Sequence, residues 1–133
     1  MDHGPTVEFS TTQVQDKPWG HEEIFAAGEH GYVGKLIAVS SGQALSLQFH
    51  AEKDETLSII SGEARFEHGR SADRLTSRVM RAGDTAHVPA LQLHRITALS
   101  DLVLAEASTA APGWRDDVTR LEDRYGRGGT TSP

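Results

Sequence analysis

Four side chains in this sequence stand at spacings that could hold a metal ion: Gln48, His50, Glu55 and His94. The segment Leu45-Ser46-Leu47-Gln48-Phe49-His50 alternates polar and apolar residues. Successive side chains on a strand point to opposite faces, so Ser46, Gln48 and His50 share one face and Leu45, Leu47 and Phe49 the other. An apolar face is what any packed sheet needs. The opposite face, with its amide and its imidazole, is not. Glu55 follows at the next predicted strand, and a second stretch, residues 83–94, brings a second imidazole at His94. Two imidazoles, a carboxylate and an amide oxygen suit Zn, Mn, Fe, Co or Ni. The chain has no cysteine, which excludes thiolate metal sites, a disulfide framework and a cysteine nucleophile. No G-x-S-x-G elbow supports serine chemistry.

The elements that must position these groups are short strands. With 133 residues the chain suits one domain with a real core. Its net charge of −6, with scattered basic residues, argues against a nucleic-acid or anionic-membrane partner. No run reaches the roughly 18 apolar residues of a membrane helix, and no signal-peptide core opens the chain, so a cytoplasmic protein is expected. Residues 1–16 read as a flexible arm with an edge strand at 7–9, residues 17–127 as the folded domain, and 128–133 as a disordered tail. Strands are predicted at 22–26, 32–39, 45–50, 57–60, 64–67, 78–80, 85–88, 93–98 and 102–107, divided by glycine-containing turns. The charged run 116–125 reads as a short helix with an aspartate near its start. Trp19, Trp114 and Tyr125 read as packing residues. Among the other histidines, His87 is the one placed where it could line a pocket; His3, His21, His30 and His68 read as solvated. Many short strands punctuated by glycine indicate an all-β sandwich or barrel.

Written as spacing, the two stretches are G-x5-Q-x-H-x4-E-x6-G, from Gly42 to Gly62, and G-x5-P-x4-H, from Gly83 to His94. They resemble the two motifs of the cupin superfamily, which implies a double-stranded β-helix, or jelly roll, with its ligands in the lumen. Lys17-Pro18-Trp19-Gly20, the run 42–48, His94-Arg95 and the ending Arg120-Leu121-Glu122-Asp123-Arg124-Tyr125-Gly126-Arg127 occur in order. Together they resemble the type II phosphomannose isomerases, found alone or as the C-terminal part of enzymes fused to a mannose-1-phosphate guanylyltransferase. The resemblance implies a divalent metal on Gln48, His50, Glu55 and His94, conversion of mannose 6-phosphate to fructose 6-phosphate, and a homodimer. Beside the ligands, Lys53 and Arg95 would take the phosphate, with Lys35 less supported, and Glu52 is the nearest carboxylate in sequence to serve as base. For these charged residues, solvated strand ends and surface salt bridges are the competing reading. The sequence departs from the family pattern at Glu52, Thr56, Leu57, Leu91 and Ala98. These departures favour one alternative, a cupin that binds a small molecule without isomerase activity; a metal enzyme acting on another substrate is a further alternative, supported by fold analogy alone.

Overall fold

The computed structural model describes residues 4–130. Eleven strands form: β1 (Gln13–Lys17), β2 (Gly20–Ala27), β3 (Tyr32–Val39), β4 (Leu47–Phe49), β5 (Glu55–Ser61), β6 (Glu63–Gly69), β7 (Thr76–Arg81), β8 (Thr85–Val88), β9 (Leu93–Ala98), β10 (Leu102–Thr109) and β11 (Thr119–Glu122). They pair into a six-stranded sheet, ordered β1-β2-β3-β10-β5-β8, and a five-stranded sheet, ordered β11-β4-β9-β6-β7. All pairings are antiparallel. The fold is the all-β jelly roll expected, as two facing sheets rather than a closed barrel.

Alternation decides what lies between the sheets. On β3, Val33, Ile37 and Val39 are buried on the inward parity, as are Leu102 and Leu104 on β10, Leu57 and Ile59 on β5, and Ile96 and Ala98 on β9. All of these but Val33 join Trp19, Phe66 and Met80 in one apolar cluster. Each fully buried aliphatic side chain there contributes about 1.5–3 kcal/mol. The turns need their glycines. At Gly62 φ is +85°, and an added Cβ would fall on the carbonyl of Asp101, so no other residue fits between β5 and β6.

Three expectations are corrected. Residues 7–9 form no strand, and Val7 and Phe9 are exposed. Pairing begins instead at β1, inside the expected arm, because Gln13 to Lys17 find the free edge of β2. The expected helix over 116–125 is a single 3-10 turn, Trp114–Asp116, followed by β11. Valine and threonine at 118–119 favour extended backbone, and β4 offers an edge to pair with. Finally, 128–130 turn back onto β11, where Gly129 N–H donates to Arg120 O at 2.7 Å. The remaining residues of the expected arm and tail, 1–3 and 131–133, lie outside the described residues. No helix among the described residues is long and apolar enough to cross a membrane.

Candidate metal centre

His50 leaves the end of β4, Glu55 opens β5, and His94 sits on β9 directly opposite Gln48 in the β4–β9 register. The two sheets therefore bring all three to one end of the interior. Glu55 Oε1 lies 3.2 Å from His94 Nε2 and 3.5 Å from His50 Nε2. One donor atom from each residue falls within 4.8 Å of the others, and all three side chains are buried.

The outer nitrogens decide what the inner ones can do. His50 Nδ1 donates to the carbonyl of Asp117 at 2.6 Å, and His94 Nδ1 donates to the carbonyl of Gln92 at 3.0 Å. A carbonyl only accepts, so both protons sit on Nδ1 in the neutral rings. Both Nε2 lone pairs are then aimed at a carboxylate oxygen. Three acceptors cannot face one another without positive charge between them, either protons or a cation. Histidines held through Nδ1–H by a carbonyl, with Nε2 free to ligate, are the usual support for a bound metal. The donor set of two imidazoles and one carboxylate fits a divalent transition ion. Gln48 lines the same cavity, and its Oε1 accepts from Ser46 Oγ at 3.2 Å.

Behind His50, Glu55 and His94 lies a buried charge chain. Lys53 Nζ stands 3.4 Å from Glu55 Oε2 and 3.3 Å from Glu106 Oε2, and Ser108 Oγ donates to Glu106 Oε2 at 3.1 Å. Burial alone would raise the Glu55 carboxyl. With protons on the inner nitrogens, hydrogen bonds from His50 and His94, with Lys53 nearby, hold it well below the usual carboxylate range. Burial pushes the Glu106 carboxyl up, and the charge of Glu55 pushes the same way. Burial would lower Lys53, but Glu106 and Glu55 together hold its ammonium above the ordinary lysine value. Lys53 therefore stays charged and holds two carboxylates together.

The cavity around this centre is narrow, with about 80 Å³ of space open to a water-sized molecule. Its charged lining carries Lys35, Lys53, Arg115 and Arg120 against Glu22, Glu55, Glu106 and Asp117. Lys35 pairs with Glu22 at 3.4 Å, and its ammonium lies 5.6 Å from the Trp114 ring, on which the Arg115 guanidinium also stacks at 4.6 Å. Trp114 and Arg115 thus stand at the mouth on the turn that follows Gly113.

Three sequence-nominated residues are elsewhere. Arg95 follows His94 on β9 and so points to the opposite face, where it binds Glu67 in two hydrogen bonds of 2.9 and 3.0 Å and Glu122 in one of 3.1 Å. Alternation forbids it and His94 from sharing a pocket. Glu52 is exposed and is not among the cavity-lining residues. His87 is exposed and bonds Asp54 at 2.8 Å. Of the expected phosphate and base residues, Lys53 and the less supported Lys35 reach the lumen, and Arg95 and Glu52 do not.

Three lumen residues escaped the sequence reading. Glu106 follows Leu102 and Leu104 on the inward parity of β10, a signal that was available. Arg120 is buried in the lumen from β11. Asp117 is the third. Its Oδ1 accepts from Ala51 N–H at 2.6 Å, and its Oδ2 from Glu52 N–H at 2.9 Å and Lys53 N–H at 2.8 Å. With its carbonyl on His50, it clamps the whole turn that carries the first histidine.

Comparison with known proteins agrees with this picture. Residues 6–123 match the family described as mannose-6-phosphate isomerase C-terminal. The chain is 31% identical over 113 residues to the xanthan biosynthesis protein XanB of Xanthomonas campestris, covering 84% of this chain and 23% of XanB. It is 30% identical to the mannose-1-phosphate guanylyltransferase ManC of Salmonella typhimurium, covering 84% and 22%. The chain thus spans under a quarter of the length of these relatives. Among solved structures, oxalate decarboxylase of Bacillus subtilis superposes with a TM-score of 0.76 at 19% identity, over 90% of this chain and 34% of that one. The capsular polysaccharide assembling protein CapF of Staphylococcus aureus gives 0.73 at 15% identity, over 86% and 33%. These two likenesses concern the fold, which is the cupin fold. With the motifs, the sheet topology and the family match in agreement, the chain belongs to the mannose-6-phosphate isomerase C-terminal family of cupins.

Proposed function

We propose that this chain is a metal-dependent sugar-phosphate isomerase of the aldose–ketose type, interconverting mannose 6-phosphate and fructose 6-phosphate. One observation carries the reading: His50, Glu55 and His94 converge with their Nε2 and carboxylate lone pairs on one point of a lumen that also holds lysine and arginine. His50, Glu55 and His94 would hold the metal, with Gln48 beside them. The bound ion supplies Lewis acidity toward the carbonyl oxygen and its neighbouring hydroxyl. The chain does the rest. Lys35, Arg115 and Arg120 make the mouth attractive to a phosphate, and Arg120 and Arg115 offer the forked donors that suit it. Glu106, the buried carboxylate beside Lys53 and outside the ligand set, replaces Glu52 as the group that carries a proton between C1 and C2. Trp114 at the mouth excludes water.

The deciding assay is conversion of mannose 6-phosphate by protein stripped of metal and then loaded with Zn, Mn, Co, Ni or Fe, beside His94→Ala. Turnover that needs metal and disappears in the variant is expected. Folded, metal-loaded protein that converts nothing with any of the five ions overturns the proposal. In that case the second reading stands, a cupin that binds a small molecule without isomerising it. A specific feature favours that reading: Leu57 and Ala98, at two positions where the family pattern departs, are buried in the apolar cluster and offer a sugar nothing to bond.

A further inference from the structure

The sandwich is open along one side. There β7 and β8 are the outer strands of their two sheets, paired with β6 and β5 and not with each other. Between them runs a cleft with about 560 Å³ of space open to a water-sized molecule, against about 80 Å³ at the metal centre. Two residues leave it unfilled. Arg78 stands opposite Phe66 in the β6–β7 register, and Ala86 opposite Leu57 in the β5–β8 register. Phe66 and Leu57 lie in the apolar cluster, and residues directly opposite on paired strands share a face, so Arg78 and Ala86 point inward as well. An apolar side chain of core size at either position would close the gap. The chain has a methyl group on one wall and a guanidinium on the other.

The floor of the cleft is apolar, with Phe66, Met80 and Val88 each 5% exposed or less. Its rim is polar. Arg78 pairs with no carboxylate among the described residues, whereas Arg81, Arg95 and Arg127 each do. Asp84 lies at one end, and its Oδ2 is taken by the Arg81 N–H at 2.8 Å. His68, read from the sequence as solvated, is half-buried and stacks on Phe66 with ring centroids 5.7 Å apart. An inward charge on an edge strand also discourages strand addition, but that role asks for neither a cavity nor an aromatic wall. Sites for small organic ligands combine an apolar lining with a few polar groups that fix orientation. The guanidinium fork suits a carboxylate or another oxyanion. The stacked rings of Phe66 and His68, across from the small aliphatic side of Ala86 and Val88, suit a flat ring.

We propose that this cleft is a second ligand site, taking a small organic anion with a flat apolar ring, and that its occupant acts on His94. The connection is short. Gln92 lines the cleft, and its carbonyl accepts from His94 Nδ1 at 3.0 Å. Phe66 stacks on His94 as well as on His68, with centroids 6.4 Å apart. A ligand resting on the cleft floor therefore touches both groups that orient this imidazole. The site is independent of the isomerase reading and of any bound metal.

The test is NMR titration of the metal-free full chain with 2-naphthoate. Naphthalene-2-methanol serves as its uncharged counterpart, and inorganic phosphate as an anion without a ring. 2-Naphthoate should shift the amides of Arg78, Ala86 and Gln92 saturably, and bind at least tenfold more tightly than either other probe. Arg78→Gln, at an exposed position, should weaken it at least tenfold. Ala86→Phe, which fills the gap, should abolish it, with circular dichroism showing that both variants fold. The His94 ring signals should move together with the cleft amides, and stay still when 2-naphthoate is added to Ala86→Phe. Binding unchanged in Arg78→Gln, shifts confined to the lumen around Lys35 and Arg120, or no saturation at all overturns the site. Cleft amides that saturate while His94 stays still overturn the action on His94.

Discussion

The interior of this sandwich is two interiors in series, written on the same strands. Beyond Val33, inward residues of β3 run from Lys35 to Ile37 and Val39, those of β5 from Glu55 to Leu57 and Ile59, those of β9 from His94 to Ile96 and Ala98, and those of β10 from Ser108 and Glu106 to Leu104 and Leu102. Each strand changes chemistry half-way along. One half is held by area removed from water. The other is held by directional bonds between groups that are costly to bury and tolerable only when paired. Burial is the same in both halves, so a burial list alone does not separate them. What separates them is the cost of losing one member.

Leu104→Ala in the apolar half should cost about 3–4 kcal/mol of stability in urea unfolding. The folded fraction should bind metal as before. His94→Ala in the polar half should do the reverse, abolishing metal-dependent stabilisation of the melting temperature while the stripped protein loses less than Leu104→Ala does. If both variants lose the two properties together, the halves are not separable. Lys53→Met sharpens the contrast, because it substitutes an apolar side chain of similar length. In the other half that would be tolerated, whereas here it leaves Glu55 and Glu106 facing each other, and about 3 kcal/mol should be lost at neutral pH. A smaller effect is expected at Asp117→Ala, which frees the turn that carries His50. Metal affinity by competition titration should fall about 10- to 100-fold, with the cobalt-loaded protein showing a broadened visible spectrum. An unchanged affinity would mean that His50 is held by its strand alone. Least of all, Leu91→Gly should stabilise the fold by up to about 1 kcal/mol. Leu91 is the one non-glycine with positive φ, +73°, among the described residues, and glycine removes that strain at a smaller entropic cost.

The apolar half was legible in the sequence because period-two alternation is local. Strands β3, β8 and β9 fall where the pattern places them. The inward face of Gln48 and His50 was legible for the same reason, since spacing within one strand fixes the face. Arg95 shows the limit of adjacency in sequence. It stands beside His94 in the chain and on the far side of the sheet in space, so alternation, rather than nearness to a ligand, was the rule that applied. Asp117 marks another limit. Its partners are 64 to 67 residues away, and no local pattern encodes which turn a distant aspartate will clamp. The helix expected over 116–125 failed likewise, because a free edge on β4 outweighed the helical tendency of a charged run.

That same aspartate sets the order in which the protein can become competent. His50, Glu55 and His94 all precede residue 117 in the chain, yet the hydrogen bond that fixes the proton of His50 comes from residue 117. Until the segment that leads into β11 docks, the apolar half of the sandwich has all its members while the first histidine lacks its anchor. Docking of that segment is the step that orients His50 toward Glu55 and His94.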